Sequence, residues 1–450
     1  MHHDVILVYP PIMMQYKASD PPFGVMYLGR ALQDAGYDVA ILDLNVLRWP
    51  KERVEAYFRE NTASVIGFSG MTTVYYYIKW LSGLLKELQP QARLIGGGSF
   101  ATPCPELVLR HLPLDAVVVG EGEPAIVPLV EALRTGGSLA GLPNVAWLDN
   151  GTFVQGPAAR IADLDTVPFP GYDLVDMDYY LHSTGKRPSL MHYCELRGIP
   201  LSSVSNYFIM FSRRGCPFKC SFCYRNFGNK VTVHSVDYVI AHIKYVRERF
   251  GVNNIAFYDE TFNANRKWLF EFCERTRKEL PDTYYWVGGA RADLLDREVV
   301  AEMHNSNFYE VSIGVESFDD RILKEMGKGL TSRMLLDALT LLKQYHMAPS
   351  CMGLLYGFPG DDEESLRKTV ETTRQLGIPG YFQLPLPFPG TKLYKRLRSE
   401  GRLQDEEGFL LTLRDAMTMD LFVNLSRYPD AELTRMVAEA NAQVQNVGQG

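Results

Sequence analysis

Short apolar runs alternate with amphipathic stretches along residues 1–140. Val5-Ile6-Leu7-Val8-Tyr9, Val39 to Leu42, Val65 to Ser69, Arg93 to Gly96 and Ala116 to Val119 read as strands. Between them, apolar positions three and four residues apart predict helices over 24–35, 53–60, 75–88, 105–111 and 123–134. Strands that are apolar throughout, each followed by a helix, predict a Rossmann-like α/β domain with a doubly wound, mostly parallel sheet. Ligands of such sheets lie beyond the carboxyl ends of the strands.

The alternation stops over residues 141–206. Pro143, Gly151, Gly156, Pro157, Pro168, Pro170 and Gly171 interrupt any long period, and Asp149-Asn150-Gly151 predicts a small hairpin. Residues 179–205 fit no regular element; they read as a connector that either lines a substrate pocket with Tyr193, Cys194 and Glu195 or simply packs. The strand–helix alternation resumes over 207–390, with strands predicted at 207–211, 255–258, 284–287, 310–315, 350–356 and 380–384. The predicted helices between them cover 236–250, 266–280, 297–305, 332–345 and 363–376. Six such units suit a partial (β/α)6 barrel with its chemistry at the carboxyl ends of the strands. Residues 391–450 show helical periodicity at 394–400 and 430–444, a small helical C-terminal region expected at the barrel mouth.

Composition narrows the class. A chain of 450 residues with 46% hydrophobic residues holds two to four domains. A net charge of −7 without long runs leaves no electrostatic footprint for nucleic acid. The most apolar windows, 65–71 and 116–119, are too short for a membrane span, and His2-His3-Asp4 leads into a strand rather than a signal-peptide pattern. Seven cysteines, three of them clustered, form no disulfide framework, so a reduced, cytoplasmic protein is expected.

The clustered cysteines carry the chemistry. Cys216, Cys220 and Cys223 follow the C-x3-C-x2-C spacing in a Gly/Pro-bearing loop directly after an apolar strand. Three soft thiolates suit an iron–sulfur cluster or zinc, and they leave one coordination position open. A closed zinc site needs a fourth Cys or His, and the nearest histidine downstream is His234. In the N-terminal domain, strand ends run into Ser69-Gly70-Met71-Thr72-Thr73, Gly96-Gly97-Gly98-Ser99 and Gly120-Glu121-Gly122-Glu123, where glycine admits a flat ligand to the backbone. A nucleotide site is the alternative there, although Tyr9-Pro10-Pro11 stands where a dinucleotide fingerprint would begin. In the barrel, polar residues again gather at strand ends: Asp259-Glu260-Thr261, Arg291, Glu316-Ser317 and Gly357-Phe358-Pro359-Gly360. Helix capping is the plain reading of Asp259, Glu260 and Glu316.

The string RRGCPFKCSFC after a strand resembles the cluster motif of the radical S-adenosylmethionine (radical SAM) superfamily, in its cobalamin-binding branch. The strings YPP, PPFGVMYLGRAL, GYDVAILD, IGFSGMTT, LIGGGSFATPCPE and VVVGEGE resemble the cobalamin-binding domain found upstream of such barrels. The resemblance implies a 4Fe–4S cluster held by Cys216, Cys220 and Cys223, with its fourth iron binding S-adenosylmethionine (SAM), whose reductive cleavage gives a 5′-deoxyadenosyl radical. It implies SAM contacts from Phe222 and Tyr224 to the adenine, Glu260 nearby, Arg291 to the carboxylate and Glu316 to the ribose. Cobalamin contacts are expected from Ser69, Gly70, Thr72, Thr73, Gly97, Gly98, Gly120, Glu121 and Gly122. The D-x-H-x-x-G signature is absent and His111 is the one histidine in the body of the domain, so the resemblance implies base-off cobalamin. The implied activity is C-methylation of an unactivated carbon in a small molecule or peptide, fed by an external one-electron reductant. The alternatives are a non-methylating relative of the same cofactors, performing oxidative cyclisation, ring contraction or rearrangement, and a sensor without turnover.

Overall fold

The computed structural model describes residues 1–12, 16–351, 353–414, 420–445 and 447, without the Cys351 side chain. The chain divides into two compact units, Met1–Ser183 with Phe388–Met417, and Thr184–Pro387 with Thr418–Gly450.

The first unit is built on a seven-stranded sheet: β1 (His2–Tyr9), β2 (Val39–Asp43), β3 (Thr62–Ser69), β4 (Arg93–Gly97), β5 (Ala116–Val118), β6 (Val145–Asp149) and β7 (Thr152–Gln155). The spatial order is β2-β1-β3-β4-β5-β6-β7. The strands from β2 to β5 run parallel, and the hairpin β6–β7 continues the sheet antiparallel to β5. Val5, Ile6 and Val8 have no exposed surface, as two covered faces require. Helices Phe23–Asp34 and Glu123–Thr135 pack together, as do Lys51–Glu60 and Tyr75–Leu88. Each fully buried aliphatic side chain of this core contributes about 1.5–3 kcal/mol. The order reverses between β1 and β3, which end at Tyr9 and Ser69, a topological switch point of the kind at which ligands of such sheets bind.

The second unit holds a five-stranded parallel sheet, order β14-β13-β12-β11-β8, formed by β8 (Phe208–Met210), β11 (Asn254–Phe257), β12 (Tyr284–Ala290), β13 (Phe308–Ile313) and β14 (Ala348–Cys351). Between the first two strands lies a short antiparallel pair, β9 (Arg213–Arg214) with β10 (Thr232–Val233). The predicted strand 350–356 forms as two pieces, β14 and β15 (Leu354–Leu355), and residue 352 lies outside the described residues. β15 pairs with β16 (Phe382–Gln383), and a backbone bridge from Glu316 to Leu354 joins this pair to the end of β13. The edge of β16 is closed by a side chain: Asn441, on the helix Asp430–Val444, accepts from Phe382 N at 2.6 Å and donates to Phe382 O at 3.1 Å.

The stretch 179–205 corrects the sequence reading. It is largely helical, with helices Met177–Ser183 and Pro188–Arg197, the second opened by a proline in its first turn and closed by Gly198 at φ 64°. Tyr193 and Cys194 are buried in packing rather than lining a pocket; the Tyr193 hydroxyl donates to Asn307 Oδ1 at 3.1 Å. Exposed Met191 and Leu196 obscure the apolar period of this helix. The helices Lys392–Ser399 and Glu406–Thr412 belong to the first unit, whereas Asp430–Val444 belongs to the second. Among the described residues no helix is long and apolar enough to cross a membrane.

Candidate active site

The cysteine loop begins where β8 ends. Gly215, at φ 91°, turns the chain out of β9 in a conformation that side chains resist, and Cys216 N then bonds to Gly228 O at 3.2 Å. The base of the loop is clamped from β11. Asp259, which is 2% exposed, accepts from Ser212 N at 2.7 Å and Arg213 N at 3.1 Å, and its other oxygen accepts from the Ser212 hydroxyl. Burial pushes its carboxyl above the ordinary 3.8, while the Arg213 charge and the Ser212 bonds oppose that rise. Arg213 is itself buried, with its guanidinium carbon 4.8 Å from the Trp268 ring and 5.4 Å from the Phe262 ring. The helix that follows is capped by Asn265, which accepts from Trp268 N, so the capping reading of Asp259 and Glu260 does not hold.

The far side of the loop is tied to the chain after β13. Ser221 donates to Met326 O from its backbone N at 2.8 Å and from its hydroxyl at 3.0 Å. Phe222 meets the Phe358 ring edge-on at 6.2 Å, which joins the turn to the glycine-rich loop after β15. Cys216 and Cys220 are half-buried and Cys223 is exposed, and Cys216 Sγ stands 3.1 Å from Thr261 Oγ1. Burial pushes the Cys220 thiol up, against the pull of the Lys328 and Arg291 cations, and bound iron would displace that proton. Among the described residues no three His, Cys, Asp or Glu side chains converge at the spacing of a single metal ion. Three thiols spread on one loop beside two cations are a donor set suited to a larger, anionic group.

Around these thiols the structure gathers Arg291 and Glu316. Arg291 ends β12, with its guanidinium carbon 3.5 Å above the Phe218 ring, a bond to Gly329 O at 3.3 Å and an ion pair to Asp293 at 2.9 Å. Glu316 adopts φ 65°, a left-handed conformation that costs a non-glycine residue of order 1–3 kcal/mol and that recurs at functional sites. Its Oε1 accepts from Lys328 Nζ at 2.9 Å, and a Cβ on Gly314 would lie 2.9 Å from that oxygen. The cap of the helix Asp320–Glu325 is Asp319, so Glu316 does not serve that purpose. Lys328 escaped the sequence reading. The signal that could have found it is its flanking glycines, Gly327 at φ 65° and Gly329 at φ 66°, which hold one lysine in a fixed bend. Glu260 and Tyr224 lie half-buried in the same loops.

In the first unit the strand ends β3, β4 and β5 form a rim where Met71, Gly98 and Gly120 are exposed. The rim is knit by the protein itself. Phe100 N donates to Gly70 O at 3.2 Å, Thr72 Oγ1 donates to Ser99 O at 3.1 Å, and a Cβ on Gly98 would lie 2.8 Å from Ser69 Oγ. Thr72 and Thr73 are buried, and Gly97 and Gly122 are half-exposed. Gly120, at φ 86°, has no atom within 4 Å of the place a Cβ would take, so a flat ligand can lie against its backbone. Glu121 turns inward, accepting from Ile161 N at 2.7 Å, and its carbonyl accepts from Asn144 Nδ2 at 2.9 Å. His111 is held at the outside of its helix by Glu407, 2.8 Å from Nδ1.

A sequence family described as B12 binding domain matches residues 11–130, and one described as Radical SAM superfamily matches residues 210–373. The chain therefore belongs to the cobalamin-binding radical SAM family, with a B12-binding domain followed by a radical SAM domain. It is a radical SAM enzyme, and its cofactors are a 4Fe–4S cluster, SAM and cobalamin. An uncharacterised methyltransferase of Pyrococcus horikoshii is 27% identical over 97% of this chain and 91% of its own length. The anaerobic magnesium-protoporphyrin IX monomethyl ester cyclase of Cereibacter sphaeroides is 26% identical over 87% of this chain, which spans only 62% of the cyclase. The fold matches that of the radical SAM methyltransferase TsrM from Kitasatospora setae, solved with cobalamin and a 4Fe–4S cluster, at TM-score 0.71 and 18% identity, covering 88% of this chain and 75% of that one.

Proposed function

We propose that this enzyme is a C-methyltransferase that acts on an unactivated carbon of a small molecule or peptide, drawing electrons from an external one-electron reductant. The observation that carries the reading is the gathering of Arg291, Glu316 and Lys328 around the Cys220 thiol, because SAM has a carboxylate and a ribose diol for such groups to hold. When bound, the cluster and SAM supply radical chemistry and the corrinoid supplies a one-carbon carrier.

The residues divide that work. Cys216, Cys220 and Cys223 are the cluster ligands, with one iron left for the amino acid end of SAM. Glu316, fixed by Lys328, accepts the ribose hydroxyls; Arg291 pairs with the carboxylate; Phe222 and Tyr224 border the adenine, with Glu260 beside them. In the first unit Ser69, Gly70, Thr72, Thr73, Gly97, Gly98, Gly120, Glu121 and Gly122 shape the corrinoid rim, the hydroxyls and Glu121 by bracing its loops and Gly120 by leaving backbone open. The bond from His111 to Glu407 engages that imidazole nitrogen, which supports cobalamin held without a protein histidine on the cobalt; the base-off form is carried over from the family resemblance.

Counting products under anaerobic turnover tests the assignment. Methylation yields S-adenosylhomocysteine together with 5′-deoxyadenosine. 5′-Deoxyadenosine alone would replace it with the non-methylating reading, which the similarity to a cyclase keeps in view.

A further inference from the structure

Thr261 lies just past β11, 4% exposed, in the loop that Asp259 locks to the base of the cysteine loop. Its Oγ1 is 3.1 Å from Cys216 Sγ and 2.6 Å from Glu260 O. A threonine hydroxyl carries one proton. While Cys216 is a thiol, its S–H can donate to Oγ1 and the hydroxyl can donate to the Glu260 carbonyl. Once the sulfur is a thiolate ligand it can only accept, and rotation about the Thr261 Cβ–Oγ1 bond turns the hydroxyl proton toward it. The β-branched side chain has few alternative rotamers and is buried, so Oγ1 stays within reach of the sulfur.

We propose that Thr261 donates a hydrogen bond to the Cys216 thiolate of the cluster and thereby raises the cluster's reduction potential. A cluster that has taken up one electron bears one more negative charge on its sulfurs. A fixed donor therefore stabilises the reduced form more than the oxidised one. Thr261 is a positioning and tuning residue: its contact is with the sulfur of Cys216. The inference rests on Cys216 being a cluster ligand.

The test uses the full chain, reconstituted anaerobically with iron and sulfide, as wild type, Thr261→Val and Thr261→Ser. Iron and sulfide content are measured first, then the midpoint potential by titration monitored by electron paramagnetic resonance, without SAM. Thr261→Val, which keeps the shape and removes the proton, is expected to hold the full cluster at a more negative midpoint. Thr261→Ser is expected to titrate with the wild type. An unchanged midpoint in a fully loaded Thr261→Val protein overturns the proposal. Should that variant lose its cluster, Thr261→Ala is titrated in its place, and the same shift decides. A wild-type protein that never assembles a 4Fe–4S cluster would instead refute the ligand assignment.

Discussion

Lys328 Nζ stands 2.9 Å from Glu316 Oε1, an ion pair between a nearly buried lysine and a carboxylate forced into left-handed backbone geometry. Glu316 takes a strained φ because its backbone is held on both sides, N to Gly353 O at 3.2 Å and O to Leu355 N at 2.8 Å. The lysine then fixes where the carboxylate points.

Lys328→Met should leave a poorly solvated carboxylate without its counter-charge, and Glu316 should no longer be aimed at the ribose. Affinity for SAM is expected to fall about tenfold, about 1.4 kcal/mol, with Lys328→Arg recovering part of it. Equilibrium dialysis of SAM against cluster-loaded protein measures this. Wild-type affinity in Lys328→Met would remove Glu316 from the SAM site.

Asp259→Ala should be far more damaging than its distance from the thiols suggests. It strips the acceptor from Ser212 N and Arg213 N and leaves the fully buried Arg213 charge uncompensated. A loss of about 3–5 kcal/mol is expected, with poor cluster retention. Thermal unfolding and iron content report the two effects. A variant that melts and loads like wild type would show that the clamp is dispensable.

Glu407 joins the helix Glu406–Thr412 to the sheet unit through Tyr75 at 3.0 Å, Lys79 at 2.5 Å and His111 at 2.8 Å. Burial pushes its carboxyl up, but the bonds from Lys79 and Tyr75 and the His111 charge outweigh that and hold it below the ordinary 4.5. A carboxyl depressed in the folded state stabilises fully above its unfolded value and loses that contribution as pH falls through the lower folded one. The melting temperature should therefore decline as pH drops below 4.5, and Glu407→Gln should melt lower at pH 7 with less of that acid dependence. Parallel pH profiles for the two proteins would refute the assignment.

Single Cys216→Ala, Cys220→Ala and Cys223→Ala variants should each lose the 4Fe–4S signal. Cys194→Ala and Cys273→Ala should keep it, because those thiols are buried in packing. Iron, sulfide and absorption spectra decide. A cluster that survives in any variant of the first three would mean that another residue serves as ligand.

The alternation of apolar runs and amphipathic helices was enough to read both α/β units, because a parallel strand covered on two faces has to be apolar throughout. The cysteine loop was equally legible, since its three cysteines fall within eight consecutive residues. The helix Pro188–Arg197 escaped because apolar Met191 and Leu196 stand exposed, off the face that buries Leu190, Tyr193 and Cys194, and blur its apolar stripe.

The sequence by itself determined the order of the elements, the cluster motif and the glycine rims, all of which depend on residues near one another along the chain. Only the tertiary structure decided which polar groups became partners. Asp259 meets Ser212 across 47 positions and Tyr75 meets Glu407 across 332, and the structure made Lys328 the partner of Glu316. Buried polar atoms must find partners wherever folding brings one within about 3 Å, and that choice leaves no local period in the sequence.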